Sequence, residues 1–161
     1  PHPDDRAGRV SESAGAGPSS RIAGFGVAAR IRVEIADTDL GGVVYYGNYA
    51  RILDHAVLAF RRQVGIPLMG PEDHMFMVRR LEIDYRSPAR FDDLLEIHVR
   101  AAEVGRASHT LVARIDALEA EGPRHVLDAR VVLVGVRPDV IRPSPMPRPV
   151  ADALRSLDPP A

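Results

Sequence analysis

The chain has 161 residues, 45% of them hydrophobic, enough for one domain with its own core. It has no cysteine, which excludes disulfides, thiolate metal sites, iron–sulfur clusters and a cysteine nucleophile together. Its 21 basic residues, all arginine, balance 22 acidic ones. A net charge of −1 speaks against a general nucleic-acid binder, and the lack of lysine excludes Schiff bases and a phosphate-loop lysine.

Residues 1–24 are rich in Gly, Pro, Ser and Ala and show no strand or helix period, so a disordered N-terminal arm is expected. A chain shortened to begin at Phe25 should keep its activity and melting temperature; a fall of many degrees would mean that the arm docks on the domain. In Arg30–Ile35, Ile31, Val33 and Ile35 alternate with Arg30, Arg32 and Glu34, the pattern of a half-buried strand. From Asn48 to Val64 the period changes. Tyr49, Ile52, Leu53, Ala56, Val57, Phe60 and Val64 fall on one helical face, with Arg51, Asp54, His55, Arg61 and Arg62 off it. Asn48 suits the N-cap, and Gly65 and Pro67 stop the helix.

Strand alternation returns in Arg80–Arg86, Leu95–Ala101, Thr110–Ala117 and Val126–Val136. The last is apolar on both faces from Val132 onward and should be covered on both sides. Ser87-Pro88, Gly105 and Gly122-Pro123 mark the turns, and such short links imply antiparallel neighbours. From Arg142 to Ala161 six prolines read as a Pro-rich tail, with room for a helical turn at Val150–Leu157. One helix among these strands makes an α+β domain, the helix covering one face of a curved antiparallel sheet. No apolar run spans a bilayer and the first residues carry no signal-peptide core, so a cytoplasmic protein without a membrane partner is the default expectation.

The connection before the helix, Asp37-Thr38-Asp39-Leu40-Gly41-Gly42-Val43-Val44-Tyr45-Tyr46-Gly47-Asn48, holds two carboxylates, three glycines and two tyrosines. Glycines let a backbone approach a ligand closely. The helix start offers unpaired N–H groups and a positive dipole end. A carboxylate facing it is a base or nucleophile opposite an oxyanion site. Turn chemistry alone is the competing reading of Asp-Thr-Asp. A calcium loop fits less well, because Gly41 and Asn48 stand where an EF-hand needs its fifth and twelfth ligands. The tyrosines also suit core or interface packing, and His55 reads as solvated or interfacial. No G-x-S-x-G elbow, H-E-x-x-H pair or G-x-G-x-x-G turn occurs, so neither a metal nor a redox cofactor is expected.

The run D-T-D-L-G-G-V-V-Y-Y-G-N-Y at 37–49 resembles that of the hotdog-fold acyl-CoA thioesterases, in the 4-hydroxybenzoyl-CoA thioesterase and YbgC-like branch. Y-R-S-P-A-R-F-D-D-L-L-E-I at 85–97 and G-R-A-S-H-T at 105–110 support the likeness, which covers about Val27 to Arg137. It implies a hotdog fold over residues 25–141, an antiparallel sheet of about five strands wrapped around one long helix. It also implies hydrolysis of an acyl-CoA to a free acid and CoA without a cofactor. By the same resemblance Asp39 is the catalytic carboxylate, as nucleophile or general base, and the Tyr46 amide polarises the thioester carbonyl. Gly42, Val44, Tyr45, Asn48 and Asp54 belong to the substrate site, Arg106 and Ser108 to the CoA phosphates, and Arg86 and Arg90 are further phosphate candidates.

Two departures matter. Tyr46 and Ile35 stand where YbgC-like members usually have His and Tyr; the hydroxybenzoyl type has Tyr at the Tyr46 position, which leans toward an aryl or bulkier acyl group. Asp54 matches a carboxylate of the hydroxybenzoyl type, and equally reads as a solvated helix charge near Arg51 and Arg61. The resemblance further implies a homodimer or homotetramer with sites at subunit interfaces. An acyl-carrier-protein thioesterase and a non-catalytic acyl-CoA-binding module are the alternatives.

Overall fold

Alternating apolar and polar residues build the sheet of the computed structural model, which describes residues 26–68 and 74–156. The strands are β1 (Gly26–Arg32), β2 (Met75–Tyr85), β3 (Leu94–Val104), β4 (Ser108–Glu119) and β5 (Gly122–Arg137), paired antiparallel in the order β1-β3-β4-β5-β2. A two-residue β6 (Arg142–Pro143) joins the end of β5. Helix α1 (Asn48–Gln63) packs on β1 and β3 and buries the stripe expected of it, Tyr49, Ile52, Leu53, Ala56, Val57 and Phe60. Opposite it stand Leu95, Ile97 and Val99 of β3 and Leu111, Ala113 and Ile115 of β4. Each large apolar side chain buried this way contributes about 1.5–3 kcal/mol, so packing rather than propensity fixes α1. Gly65, at φ +74°, ends the helix as expected, and the Ile66 N–H reaches back to the Arg61 carbonyl at 2.8 Å. A sheet wrapped on one long helix is the hotdog arrangement. Among the described residues no helix is long and apolar enough to cross a membrane.

Several expectations are corrected. The first strand ends at Arg32 rather than Ile35. The Asp37 carboxylate accepts the Glu34 N–H at 2.9 Å and winds 35–37 into a 3-10 turn, which leaves Ile35 72% exposed. β2 and β3 are not neighbours. β2 pairs with β5 at one edge, and the link 86–93 crosses the end of the sheet, from the Val126 carbonyl (Arg86 N–H, 2.8 Å) to the Val33 carbonyl (Asp92 N–H, 3.0 Å). Val132 and Val134 are only half-buried, so β5 is not fully covered on its second face.

The polar parity of β3 is not solvated. Glu96 and His98 are buried, as is Asp116 across on β4; Arg30 bridges to Glu96 at 2.7 Å and Arg114 to Asp116 at 3.0 Å, giving the buried charges the partners they need.

The Pro-rich segment beyond 141 folds onto the domain. Ser144 N–H donates to the Gly135 carbonyl at 2.8 Å and Met146 N–H to the Arg106 carbonyl at 2.8 Å. Helix α2 (Arg148–Arg155) packs against β3, burying Val150, Ala151 and Leu154. Prolines suit its first turn, where a missing N–H costs no helical bond. The arm expected at 1–24 lies outside the described residues, as does the end of the tail at 157–161.

Candidate active site

The 37–49 connection folds back on itself. Thr38 pairs with Val44, Val43 pairs with Arg90, and the Val44 N–H donates to the Ala89 carbonyl at 2.8 Å. Its two carboxylates have different surroundings. Asp37 is buried and does turn chemistry: it accepts the Glu34 N–H and the Arg51 guanidinium, while its carbonyl accepts the Tyr45 N–H and the Asn48 side-chain amide, both at 2.9 Å. A carboxylate so engaged is not a calcium ligand, and among the described residues no three acidic or histidine side chains converge on a metal position. Asp39 is exposed. One carboxylate oxygen accepts the Gly41 N–H at 2.7 Å; the other has no partner among the described residues. Gly42 turns the loop at φ +72°, which a side chain rarely adopts.

At the helix entry the N-cap is Gly47, not Asn48, whose side chain is spent on the Asp37 carbonyl. The Tyr45 ring fills the space a Cβ at Gly47 would need, 2.8 Å away. The Asn48 N–H donates to the Tyr45 carbonyl at 2.9 Å. Among the described residues no backbone carbonyl accepts from the Tyr46 or Gly47 N–H. Two consecutive amides at a helix N-terminus without an acceptor are donors that an anionic group could use.

Beside them lies a cleft of about 280 Å³ lined by Val44, Tyr46, Tyr49, Tyr85, Arg86, Ser87 and Pro88. Its floor is rigid. The buried Tyr49 hydroxyl accepts the Ala89 N–H at 3.0 Å, and burial pushes its phenol pKa up, keeping it protonated. Arg124 pins the 86–93 wall by donating to the Ser87 hydroxyl at 3.1 Å, the Pro88 carbonyl at 2.6 Å and the Asp93 carboxylate at 2.8 Å. Arg124, Tyr49 and Tyr85 were not distinguishable as site residues from their spacing. Tyr49 reads as core, Tyr85 as strand, and Arg124 as a charge after a turn.

Asp39, Gly42, Val44, Tyr45 and Tyr46 share one loop that runs into Asn48, the first residue of α1, with Arg90 paired to it and Arg86 at the cleft, 3.3 Å from Asp128. Asp54 sits farther along α1, on a small apolar groove of about 60 Å³ with Leu53, Val57, Val78 and Leu81. Arg106 and Ser108 are not brought to this site within one chain. They follow the far end of β3, whose length at ~3.3 Å per residue separates them from the loop by roughly 30 Å.

The sequence profile of the Thioesterase superfamily matches residues 41–122 of the 161, starting just after Asp39. The chain belongs to the Thioesterase superfamily. Within that superfamily it is 31% identical over 122 residues to an acyl-CoA thioester hydrolase YbgC of Escherichia coli, covering 74% of this chain and 89% of that protein. A probable thioesterase from Bartonella henselae superposes with a TM-score of 0.65 at 28% identity, covering 76% of this chain and 98% of the other. A 1,4-dihydroxy-2-naphthoyl-CoA thioesterase from Synechocystis superposes with a TM-score of 0.73 at 21% identity, covering 83% and 98%, a likeness of fold. Membership of this superfamily makes the chain a thioester hydrolase.

Proposed function

We propose that the chain hydrolyses acyl-CoA thioesters with Asp39 as its catalytic carboxylate. The observation that carries this is the pairing in one loop of an exposed carboxylate with two amides that have no acceptor among the described residues. The YbgC relative, an acyl-CoA thioester hydrolase by name, supports the choice of CoA esters. Asp39 either attacks the thioester carbon, giving a mixed anhydride that water then cleaves, or takes a proton from the attacking water. The Tyr46 amide, joined by that of Gly47, receives the negative charge that develops on the carbonyl oxygen. CoA leaves as a thiolate, so no strong general acid is required. The tyrosine-lined cleft favours an aromatic or bulky acyl group, and Asp54 on its apolar groove accepts a hydrogen bond from a polar group on that acyl. Measuring kcat/KM for one acyl group carried on CoA and on an acyl carrier protein tests the ester class; a clear preference for the carrier would overturn it.

A second copy completes the assembly in this proposal. β2 is a free sheet edge on which Met77, Val78 and Leu81 are 43%, 58% and 38% exposed, an arrangement that invites strand pairing. Light scattering should find a particle of about 35 kDa or a multiple, twice the 17.5 kDa chain; a monomer at micromolar concentration would contradict it.

Arg106 and Ser108, remote from their own loop, then serve the CoA phosphates of a neighbouring subunit, while Arg86 and Arg90 face the nucleotide from within the chain. Arg106 makes no ion pair among the described residues. Arg106→Ala is expected to raise KM for acyl-CoA about tenfold with little change in kcat, an effect that shrinks at high salt and vanishes for a thioester lacking the nucleotide. An equal loss on that short ester would remove Arg106 from CoA binding.

A further inference from the structure

All four tyrosines of the chain, Tyr45, Tyr46, Tyr49 and Tyr85, gather at the start of α1. Three belong to the loop and the helix; Tyr85 arrives from the last position of β2. Its hydroxyl donates to the Tyr46 carbonyl at 3.2 Å, and its ring lies 5.6 Å from that of Tyr49, tilted by 59°. The other hydrogen bonds of Tyr45 and Asn48 run within the loop, from the Tyr45 N–H and the Asn48 side chain to Asp37 and from the Asn48 N–H to Tyr45, while just before them the Val44 N–H donates to Ala89 of the 86–93 link, which is not a strand of the sheet. Tyr85 is therefore the tie between the elbow and the sheet among the described residues. It holds the peptide that links Tyr46 to Gly47, where a glycine offers no side chain to resist rotation.

We infer that Tyr85 is a positioning and specificity-determining residue of this site. Its hydroxyl fixes the peptide that carries the Gly47 N–H, and through it the neighbouring Tyr46 amide, in the orientation the oxyanion needs, and its ring is one wall of the acyl cleft. The inference rests on the thioesterase reading above. Preset amides lower the barrier because they do not reorganise as charge develops. A ring wall acts differently, by stacking on a flat acyl group and not on a flexible one. The two tasks reside in different atoms of one side chain and separate on substitution. Tyr85 is half exposed at a sheet edge, so its loss removes little packing.

The test compares the full-length protein with Tyr85→Phe and Tyr85→Ala, using benzoyl-CoA and butyryl-CoA, thiol release and thermal melting. Tyr85→Phe should lower kcat about three- to tenfold on both esters, the worth of one hydrogen bond, with KM and melting temperature near wild type. Tyr85→Ala should show the same fall in kcat and in addition raise KM about three- to tenfold for benzoyl-CoA alone. A Tyr85→Phe variant with wild-type kcat overturns the positioning role, and a Tyr85→Ala variant that shifts KM equally for both esters overturns the specificity role. A merely structural residue would lower the melting temperature and leave the kcat-to-KM split unmoved. Failure of the wild-type protein to release thiol from these two esters and from a long-chain acyl-CoA would instead sink the thioesterase reading, an outcome distinct from an active wild type with unaffected variants.

Discussion

Replacing Asp39 by asparagine is expected to cut thioester turnover by about 10²–10⁴ while leaving the melting temperature and CoA binding close to wild type. Asparagine keeps an oxygen that can accept the Gly41 N–H, now 2.7 Å from the carboxylate, so the turn survives and only the charge is lost. Asp37→Asn should behave in the opposite way. That carboxylate is buried against the Glu34 N–H and the largely exposed Arg51 guanidinium, and taking away its charge weakens both contacts at a cost of about 1 kcal/mol. Its activity should fall only as far as the loop loosens, and in step with stability. Near wild-type turnover for Asp39→Asn would remove Asp39 from the chemistry. A larger catalytic loss for Asp37→Asn at unchanged stability would reverse the two roles.

Acid is expected to weaken the fold through His109. Its ring is 3% exposed and meets Phe76 edge-on at 4.7 Å, with the Arg61 guanidinium 5.1 Å over the same phenyl ring. Burial first, and the Arg61 charge second, push the His109 pKa down to about 4. In the unfolded chain the value returns to about 6.5. Below that pH the unfolded chain takes up a proton that the folded chain refuses. The contribution of a neutral His109 is thus complete above pH ~6.5 and is lost as the pH falls toward 4, a gap of about 3 kcal/mol. His74, 5.0 Å from the same phenyl ring, is pushed down by burial and adds in the same direction. Urea unfolding near pH ~7.5 and ~4.5 should show wild type losing about 2–3 kcal/mol more than His109→Leu. Equal losses in the two proteins would show that another group controls acid unfolding.

Period and turn chemistry carried much of this molecule openly. The stripe from Tyr49 to Phe60 could only be a helix buried on one face, and Gly65 closes it as its sequence context requires. What was hidden depends on side chains that meet from distant parts of the chain. The alternation of Ile31, Val33 and Ile35 promised a longer first strand, but the Asp37 carboxylate captured the Glu34 N–H and bent the chain away. Ser87-Pro88 resembles a hairpin turn, yet β2 leaves it for β5, because the link that follows is held by Arg124, Tyr49 and Val44 across the end of the sheet. Arg61 lies off the apolar stripe by position and is buried nonetheless. Its guanidinium donates to the Pro67 and Leu68 carbonyls, at 2.5 and 3.3 Å, and covers Phe76.

At the site, the loop sequence carried the resemblance, which agrees with membership of the Thioesterase superfamily, and it pointed to Asp39 and Tyr46 as the residues to test. The resemblance singled out Asp39, but the residues alone did not separate it from Asp37, because two carboxylates in one turn look alike until one is seen buried and the other exposed. The separation of Arg106 from the loop was equally hidden: it is a property of strand length and direction, which no local motif records.

The most direct measurement is release of free thiol and free acid by the wild-type protein from a panel of short aliphatic, long aliphatic and aryl acyl-CoA esters. Stoichiometric CoA and carboxylic acid are expected from at least one ester, at a rate well above the uncatalysed background, with the aryl and bulkier esters preferred. No thiol above background from any member of the panel would contradict hydrolysis of acyl-CoA thioesters by this chain.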